Sequence, residues 1–144
     1  MDASVFVEYL APGSAVDAVT PLFSPRARCE YWAPDLCVLE VANALRKRYL
    51  SDQRFTRGHL DEAVEDMLLL QPVLIGAASL VMHALRYAHR LTMYDAAYVA
   101  VADLRRLPLC TLDEDLAATA RAEGVEVLIP ASEAFSQWLA RPRR

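Results

Sequence analysis

Cysteine is scarce in this 144-residue chain, and the three cysteines present stand far apart. Cys29, Cys37 and Cys110 form no CxxC pair, and Cys110 sits in the apolar run LPLCTL. Disulfide frameworks and zinc sites need paired or regularly spaced ligands. We therefore expect all three cysteines to be small core residues of a protein in a reducing compartment.

Long apolar runs, repeats and Gly/Ser-rich linkers are also lacking. No run approaches the roughly 18 apolar residues that a membrane span needs. The opening MDASVFVEYL carries an acid where a secretory signal carries basic residues, so we expect no export signal, no membrane association and a cytoplasmic location. Because the sequence contains no linker, residues 1–140 are expected to form one domain. The basic tail 141–144 is expected to be disordered.

An excess of basic charge is missing as well, since 15 Lys and Arg face 19 Asp and Glu and give a net charge of -4. This balance argues against a protein that coats nucleic acid nonspecifically, but it allows a nuclease whose acids lie in one pocket. Hydrophobic residues make up 55% of the chain, which is high for a small protein. We take this excess to predict an apolar subunit interface and therefore a homodimer.

Hydrophobic spacing predicts that strands and helices alternate along the chain. Helices are expected where apolar residues recur every three or four positions, and strands where short apolar runs lie between turn signals. Helices are predicted from Ser4 and at 36–50, 59–70, 79–90, 93–106 and 115–124, with strands at 29–34, 73–75, 107–112 and 125–129. Strands separated by helices predict an α/β three-layer α/β/α sandwich around a parallel sheet.

Four acids fall where such a sheet would bring them together. Asp2, Asp95 and Asp113 lie at predicted helix starts, and Glu40 lies in the second turn of its helix among apolar neighbours. The carboxyl ends of parallel strands share one edge of the sheet, so these acids should converge there. Crowded carboxylates need protonation or a cation, and Mg²⁺ or Mn²⁺ prefers such oxygens. Ser4, Asn43, Thr111 and Asp115 are candidate auxiliary residues because they neighbour the four acids.

Each acid also has a structural explanation. Thr92 and Asp95 have the spacing of a capping box, Asp113 suits an N-cap, and Glu40 could pair with Lys47 seven positions on. The two tyrosines near Asp95 are also assigned one structural and one functional role. Tyr98, one turn on, is expected in the core, and Tyr94 is a candidate for stacking on a base.

The chain resembles PIN-domain proteins of the VapC toxin kind. The resemblance rests on DASV at the start, APDLCVLEVANALRK, then LTMYDAAYVAVADLRRLPLCTLDEDL, and finally GVEVL, in the family's order. It implies a Rossmann-like fold and a metal site at Asp2, Glu40, Asp95 and Asp113. It also implies Mg²⁺- or Mn²⁺-dependent cleavage of RNA by the toxin of a type II toxin-antitoxin system, with a VapB-like antitoxin as partner and often a homodimer.

One departure from the family pattern concerns the start of the chain. Family members usually carry several apolar residues before DAS that form the central strand, whereas only Met1 precedes it here. Either the start lies downstream of the true one, or residues after Asp2 supply the strand. Two other functions stay open: a catalytically silent PIN-like interaction protein, and another metal-dependent phosphodiesterase or DNA nuclease.

Overall fold

The computed structural model describes residues 1–25, 27 and 29–141. Residues 142–144, most of the tail expected to be disordered, lie outside this range. The elements follow in the order α1 (Ala3–Leu10), α2 (Val16–Phe23), β1 (Trp32–Pro34), α3 (Leu36–Ser51), α4 (Arg57–Leu69), β2 (Val73–Ile75), α5 (Ala77–Ala84), α6 (Met93–Arg105), β3 (Leu109–Cys110), α7 (Glu114–Ala122), β4 (Val127–Leu128) and α8 (Glu133–Leu139).

The strands pair in parallel, as predicted for an α/β fold. β1 pairs with β2 and β3 pairs with β4, so the described strands form two two-stranded sheets. The start of the chain contacts both sheets. The amino group of Met1 donates to the carbonyl of Trp32 at 2.6 Å, and the amide of Asp2 donates to the carbonyl of Cys110 at 2.9 Å. Residues 1 and 2 therefore link the two sheets.

The predicted elements are found, with shifts at their ends. The residues after Asp2 form α1, so the alternative in which that segment supplies a strand is wrong. α7 ends before Gly124, as predicted, and this glycine adopts a φ of 83°, which suits a residue that follows a helix. α2 and α8 had not been predicted. α2 contains Pro21, a residue that weakens a helical pattern, yet it buries Val19 and Leu22.

The core is centred on α6, whose residues 96 to 102 are all buried. Most of these side chains are short, so neighbouring elements can approach the helix from every side. A helix segment that is buried on all sides is expected to be apolar all round. A second cluster joins Val5, Leu128 and Phe135, and it packs α8 against the first helix and the last strand. No disulfide joins the three cysteines in the part of the chain that the structure describes; Cys37 and Cys110 are buried and Cys29 is partly buried. In the described part of the chain, no helix is long and apolar enough to cross a membrane.

Asp103 on α6 bonds to the last turn of α5 and to the segment that follows it. Its Oδ2 atom accepts a hydrogen bond from the hydroxyl of Tyr87 at 2.7 Å. The same oxygen lies 2.7 Å from Nε2 of His83 and accepts from the Arg86 guanidinium at 3.3 Å. The hydrogen bonds from Tyr87 and His83 lower the pKa of Asp103. Burial, together with the bond to Asp103, raises the pKa of Tyr87 to about 12.

We expect Asp103→Ala to lower Tm at pH 7 by about 3 to 9 °C, because a buried hydroxyl without an acceptor costs roughly 1–3 kcal/mol. The folded pKa of Asp103 lies below its unfolded value, so its charge stabilises the fold above that value. This contribution is lost as the pH falls through the folded pKa. The Tm difference from the parent, followed by circular dichroism, should therefore shrink toward pH 2. The exposed Glu65→Ala variant is the control, and equal melting of Asp103→Ala and the parent at pH 7 would contradict the expectation.

Candidate metal centre

Asp2 is the most buried of the four candidate acids, with 7% of its surface exposed. It is the N-cap of α1, and its Oδ2 atom accepts from the amide of Ser4 at 3.3 Å and from the hydroxyl of Ser4 at 2.5 Å. The fully buried Thr111, directly after β3, donates its hydroxyl to the same oxygen at 2.9 Å. Two of the four candidate auxiliary residues, Ser4 and Thr111, thus hold Asp2 through their hydroxyls.

The same two hydroxyls position the segment that carries Asp113. The amide of Leu112 donates to Ser4 Oγ at 3.0 Å, and the amide of Asp113 donates to Thr111 Oγ1 at 3.0 Å. Asp113 is exposed and is the N-cap of α7, accepting from the amide of Leu116 at 2.9 Å. Asp113 therefore has the expected capping geometry, and Thr111 connects Asp113 to Asp2.

Glu40 on α3 interacts electrostatically with both Asp2 and Asp95. Burial raises the pKa of Glu40, a hydrogen bond from Tyr98 opposes this rise, and the negative charges of Asp2 and Asp95 add to it. The hydroxyl of Tyr98 donates to Glu40 Oε2 at 2.5 Å. Lys47 is not an ion-pair partner of Glu40 within the described residues. The charge of Glu40 is thus coupled by repulsion to Asp2, the N-cap of α1, and to Asp95 on α6, and these three acids are called the coupled group.

Asp95 occupies the first turn of α6, where Thr92 is the N-cap. The amide of Asp95 donates to Thr92 Oγ1 at 3.2 Å, and the hydroxyl of Thr92 donates to Asp95 Oδ2 at 2.8 Å. The capping explanation therefore describes a real contact. The other candidate auxiliary residues, Asn43 on α3 and Asp115 on α7, are exposed, and their roles stay predictions.

All four carboxylates share one pattern in the described part of the chain: each accepts its hydrogen bonds on a single oxygen. These oxygens are Oδ2 of Asp2, Oε2 of Glu40, Oδ2 of Asp95 and Oδ1 of Asp113. A carboxylate has two oxygens that can accept hydrogen bonds or bind a cation. Holding one oxygen fixes the orientation of the group and leaves the second for a ligand.

The carboxylate oxygens of these acids suit a hard divalent cation that is bound partly through water. Among the residues that the structure describes, no three Asp, Glu, His or Cys side chains converge closely enough to enclose a metal ion by themselves. Mg²⁺ is usually bound by one or two carboxylates while it keeps several waters. Glu40 and Asp95 in the coupled group offer carboxylate oxygens and not thiol or imidazole ligands. This choice of ligand atoms matches the way in which proteins bind Mg²⁺.

Sequence reasoning assigned Tyr98 only to the core, and that prediction is confirmed, since 2% of its surface is exposed. Its hydroxyl contact with Glu40 was missed. The signal available in the sequence was the spacing of Asp95 and Tyr98, which are three positions apart on one helix. The partner across the contact lies 58 residues away, so the sequence pattern alone did not identify it.

The PIN domain family model matches residues 1–122 of the chain. The match covers α1 through α7 and includes all four candidate acids. The chain therefore belongs to the PIN domain family, whose members are generally metal-dependent nucleases. No curated protein matches the sequence significantly.

Replacing Asp95 with asparagine should stabilise the metal-free fold. Asparagine keeps an acceptor for Thr92 but removes one of the charges that repel Glu40, which is worth about 1 kcal/mol after water screening. In a chelator we expect Tm to rise by about 2 to 4 °C, measured by differential scanning fluorimetry. Added Mg²⁺ should raise Tm of the parent more than that of the variant.

The exposed Glu65→Gln variant is the matched control, because it removes a charge of the same sign from α4. A lower Tm for Asp95→Asn in chelator, with an unchanged control, would mean that Asp95 serves mainly to stabilise the start of α6.

Proposed function

We propose that this chain is a metal-dependent endoribonuclease that cleaves RNA phosphodiester bonds and acts as the toxin of a type II toxin-antitoxin system. The observation that carries the proposal is the coupled group of Asp2, Glu40 and Asp95 in a chain of the PIN domain family. The charges of Asp2 and Asp95 both repel Glu40, so this arrangement is unfavourable unless something offsets the repulsion. A cation that binds them offsets the repulsion.

In this proposal Asp2, Glu40, Asp95 and Asp113 hold Mg²⁺ or Mn²⁺ directly or through water. The bound ion supplies activation of a water nucleophile and stabilisation of charge on the phosphate. Ser4 and Thr111 keep the carboxylate of Asp2 in one orientation through their hydroxyl groups. The rigid positions of the acids fix where the phosphate is held.

Single-stranded or loop RNA is the substrate class that the surface beside the acids favours. Tyr94 directly precedes Asp95 at the start of α6, and 63% of its surface is exposed. Unstacked RNA bases bind well to exposed aromatic rings, and bases in a duplex are not free to do so. An RNA substrate also implies a cytoplasmic location.

We further propose that a VapB-like antitoxin covers the acidic edge. The family resemblance suggests this partner, and the net charge of -4 together with the clustered carboxylates favours a basic segment over an acidic one. A bound segment would compete with RNA and the metal ion for the same carboxylates.

The cleavage assay uses total RNA incubated with the purified protein and Mg²⁺, with new 5′ ends mapped by sequencing. We expect discrete cleavage sites for the parent and a loss of about 100-fold or more for Asp95→Asn and Asp113→Asn. Glu65→Gln should cleave like the parent. Single-stranded and duplex DNA are tested in parallel.

Cleavage of DNA in place of RNA would favour another metal-dependent nuclease. Intact RNA and DNA, with metal bound or not, would favour the catalytically silent interaction protein. Equal activity of the parent and both acid variants would locate the chemistry elsewhere in the chain.

We also propose a homodimer through the exposed face of α5. Val81, Met82 and Leu85 lie on one side of this helix and are 43%, 78% and 51% exposed. The preceding strand β2 adds the half-exposed Val73 and Leu74. Apolar surface concentrated on consecutive elements is typical of subunit interfaces.

Light scattering at micromolar concentration should give about twice the 16.0 kDa chain mass for the parent. Met82→Glu should give a monomer, because a buried unpaired charge is strongly unfavourable in an interface. Leu50→Glu, at the far end of α3, changes a comparably exposed leucine and should stay dimeric. A monomeric parent would contradict the proposal, and a dimeric Met82→Glu variant would exclude this face.

A further inference from the structure

Tyr98 connects the two helices that carry the coupled acids Glu40 and Asp95. It lies one turn after Asp95 on α6, and its hydroxyl donates to Glu40 Oε2 on α3 at 2.5 Å. The ring is buried, with 2% of the residue exposed. This buried hydroxyl is therefore directed at a candidate metal ligand.

A phenol has one proton to donate, and the proton of Tyr98 is directed to the carboxylate of Glu40. Tyr98 and Glu40 are 58 positions apart in the sequence, so this bond forms only when α3 packs against α6.

We propose that Tyr98 is a positioning residue that holds the carboxylate of Glu40 for metal binding; this inference rests on the proposed metal-dependent function. A free glutamate samples many rotamers, and metal binding must select one of them. The bond to Oε2 selects the rotamer before the metal arrives and leaves Oε1 for the ion. Hydrogen bonds of this kind to metal ligands commonly determine metal affinity.

The alternative is that Tyr98 only cross-links α3 to α6. The chain offers a matched comparison in Tyr87, which is also buried and also donates its hydroxyl to a carboxylate, that of Asp103, at 2.7 Å. Asp103 is not among the acids that interact with Glu40. Removing either hydroxyl therefore deletes a similar bond, but only the removal at Tyr98 affects a candidate metal ligand.

The experiment titrates the metal-free full chain with Mn²⁺ alone and follows the free ion by electron paramagnetic resonance. For Tyr98→Phe we expect Mn²⁺ affinity to fall about 10- to 100-fold while the far-ultraviolet spectrum stays parental. Tyr87→Phe should bind Mn²⁺ like the parent. RNA cleavage is measured on the same samples.

Parental Mn²⁺ affinity in Tyr98→Phe, or an equal loss in Tyr87→Phe, overturns the positioning role. A parent that binds Mn²⁺ but cleaves no RNA overturns the proposed nuclease function, whereas a selective loss in Tyr98→Phe still supports the positioning role. A parent that binds no Mn²⁺ overturns both. If Tyr98→Phe does not fold, Tyr98→Met decides, because methionine also lacks the hydroxyl and adapts to irregular gaps in a core. Parental affinity in that variant overturns the inference.

Discussion

The hydrogen bonds accepted by one buried oxygen, Oδ2 of Asp2, hold the candidate site together. Ser4 donates from the first turn of α1 and Thr111 donates from the end of β3, so this oxygen connects Asp2 to a residue 109 positions away. The amide of Asp2 pairs with Cys110 next to the same strand end. If this oxygen lost its partners, the side-chain link between the start of α1 and the end of β3 would be lost, and with it the connection from Asp113 through Thr111 to Asp2. The buried carboxylate is tolerated because its hydrogen bonds replace those of water.

Much of the fold could be predicted because local patterns and tertiary packing agree. α3 and α6 have apolar spacing of three and four residues, and both form close to the predicted bounds. α2 was missed because Pro21 interrupts its pattern, and packing of Val19 and Leu22 compensates for that cost. The strand pairs could not be read in detail, since register depends on contacts between distant residues. Nor could the sequence indicate that its first two residues bridge two sheets.

Some features of the candidate site could likewise be predicted from the local sequence, and others depend on the fold. The positions of Glu40, Asp95 and Asp113 relative to helix starts are local facts, and they were available from the sequence. Which oxygen each acid uses, and that Glu40 bonds to Tyr98 and not to Lys47, depends on how α3 packs against α6. Side chains of that length reach several partners, and only the packed structure selects one.

Capping and metal binding had seemed competing explanations for these acids, but the geometry makes them compatible. A cap needs one carboxylate oxygen, and Asp113 uses Oδ1 for the amide of Leu116 while Asp2 uses Oδ2 for Ser4. A helix N-terminus stabilises negative charge, so it offsets part of the repulsion between neighbouring acids before any cation binds. Acids at helix starts can therefore be held close together, charged and correctly oriented in a stable metal-free protein. Glu40 lies in the second turn of α3 and gains less from a helix start, and burial raises its pKa. Its orientation has to come from elsewhere, and the hydroxyl of Tyr98 provides it.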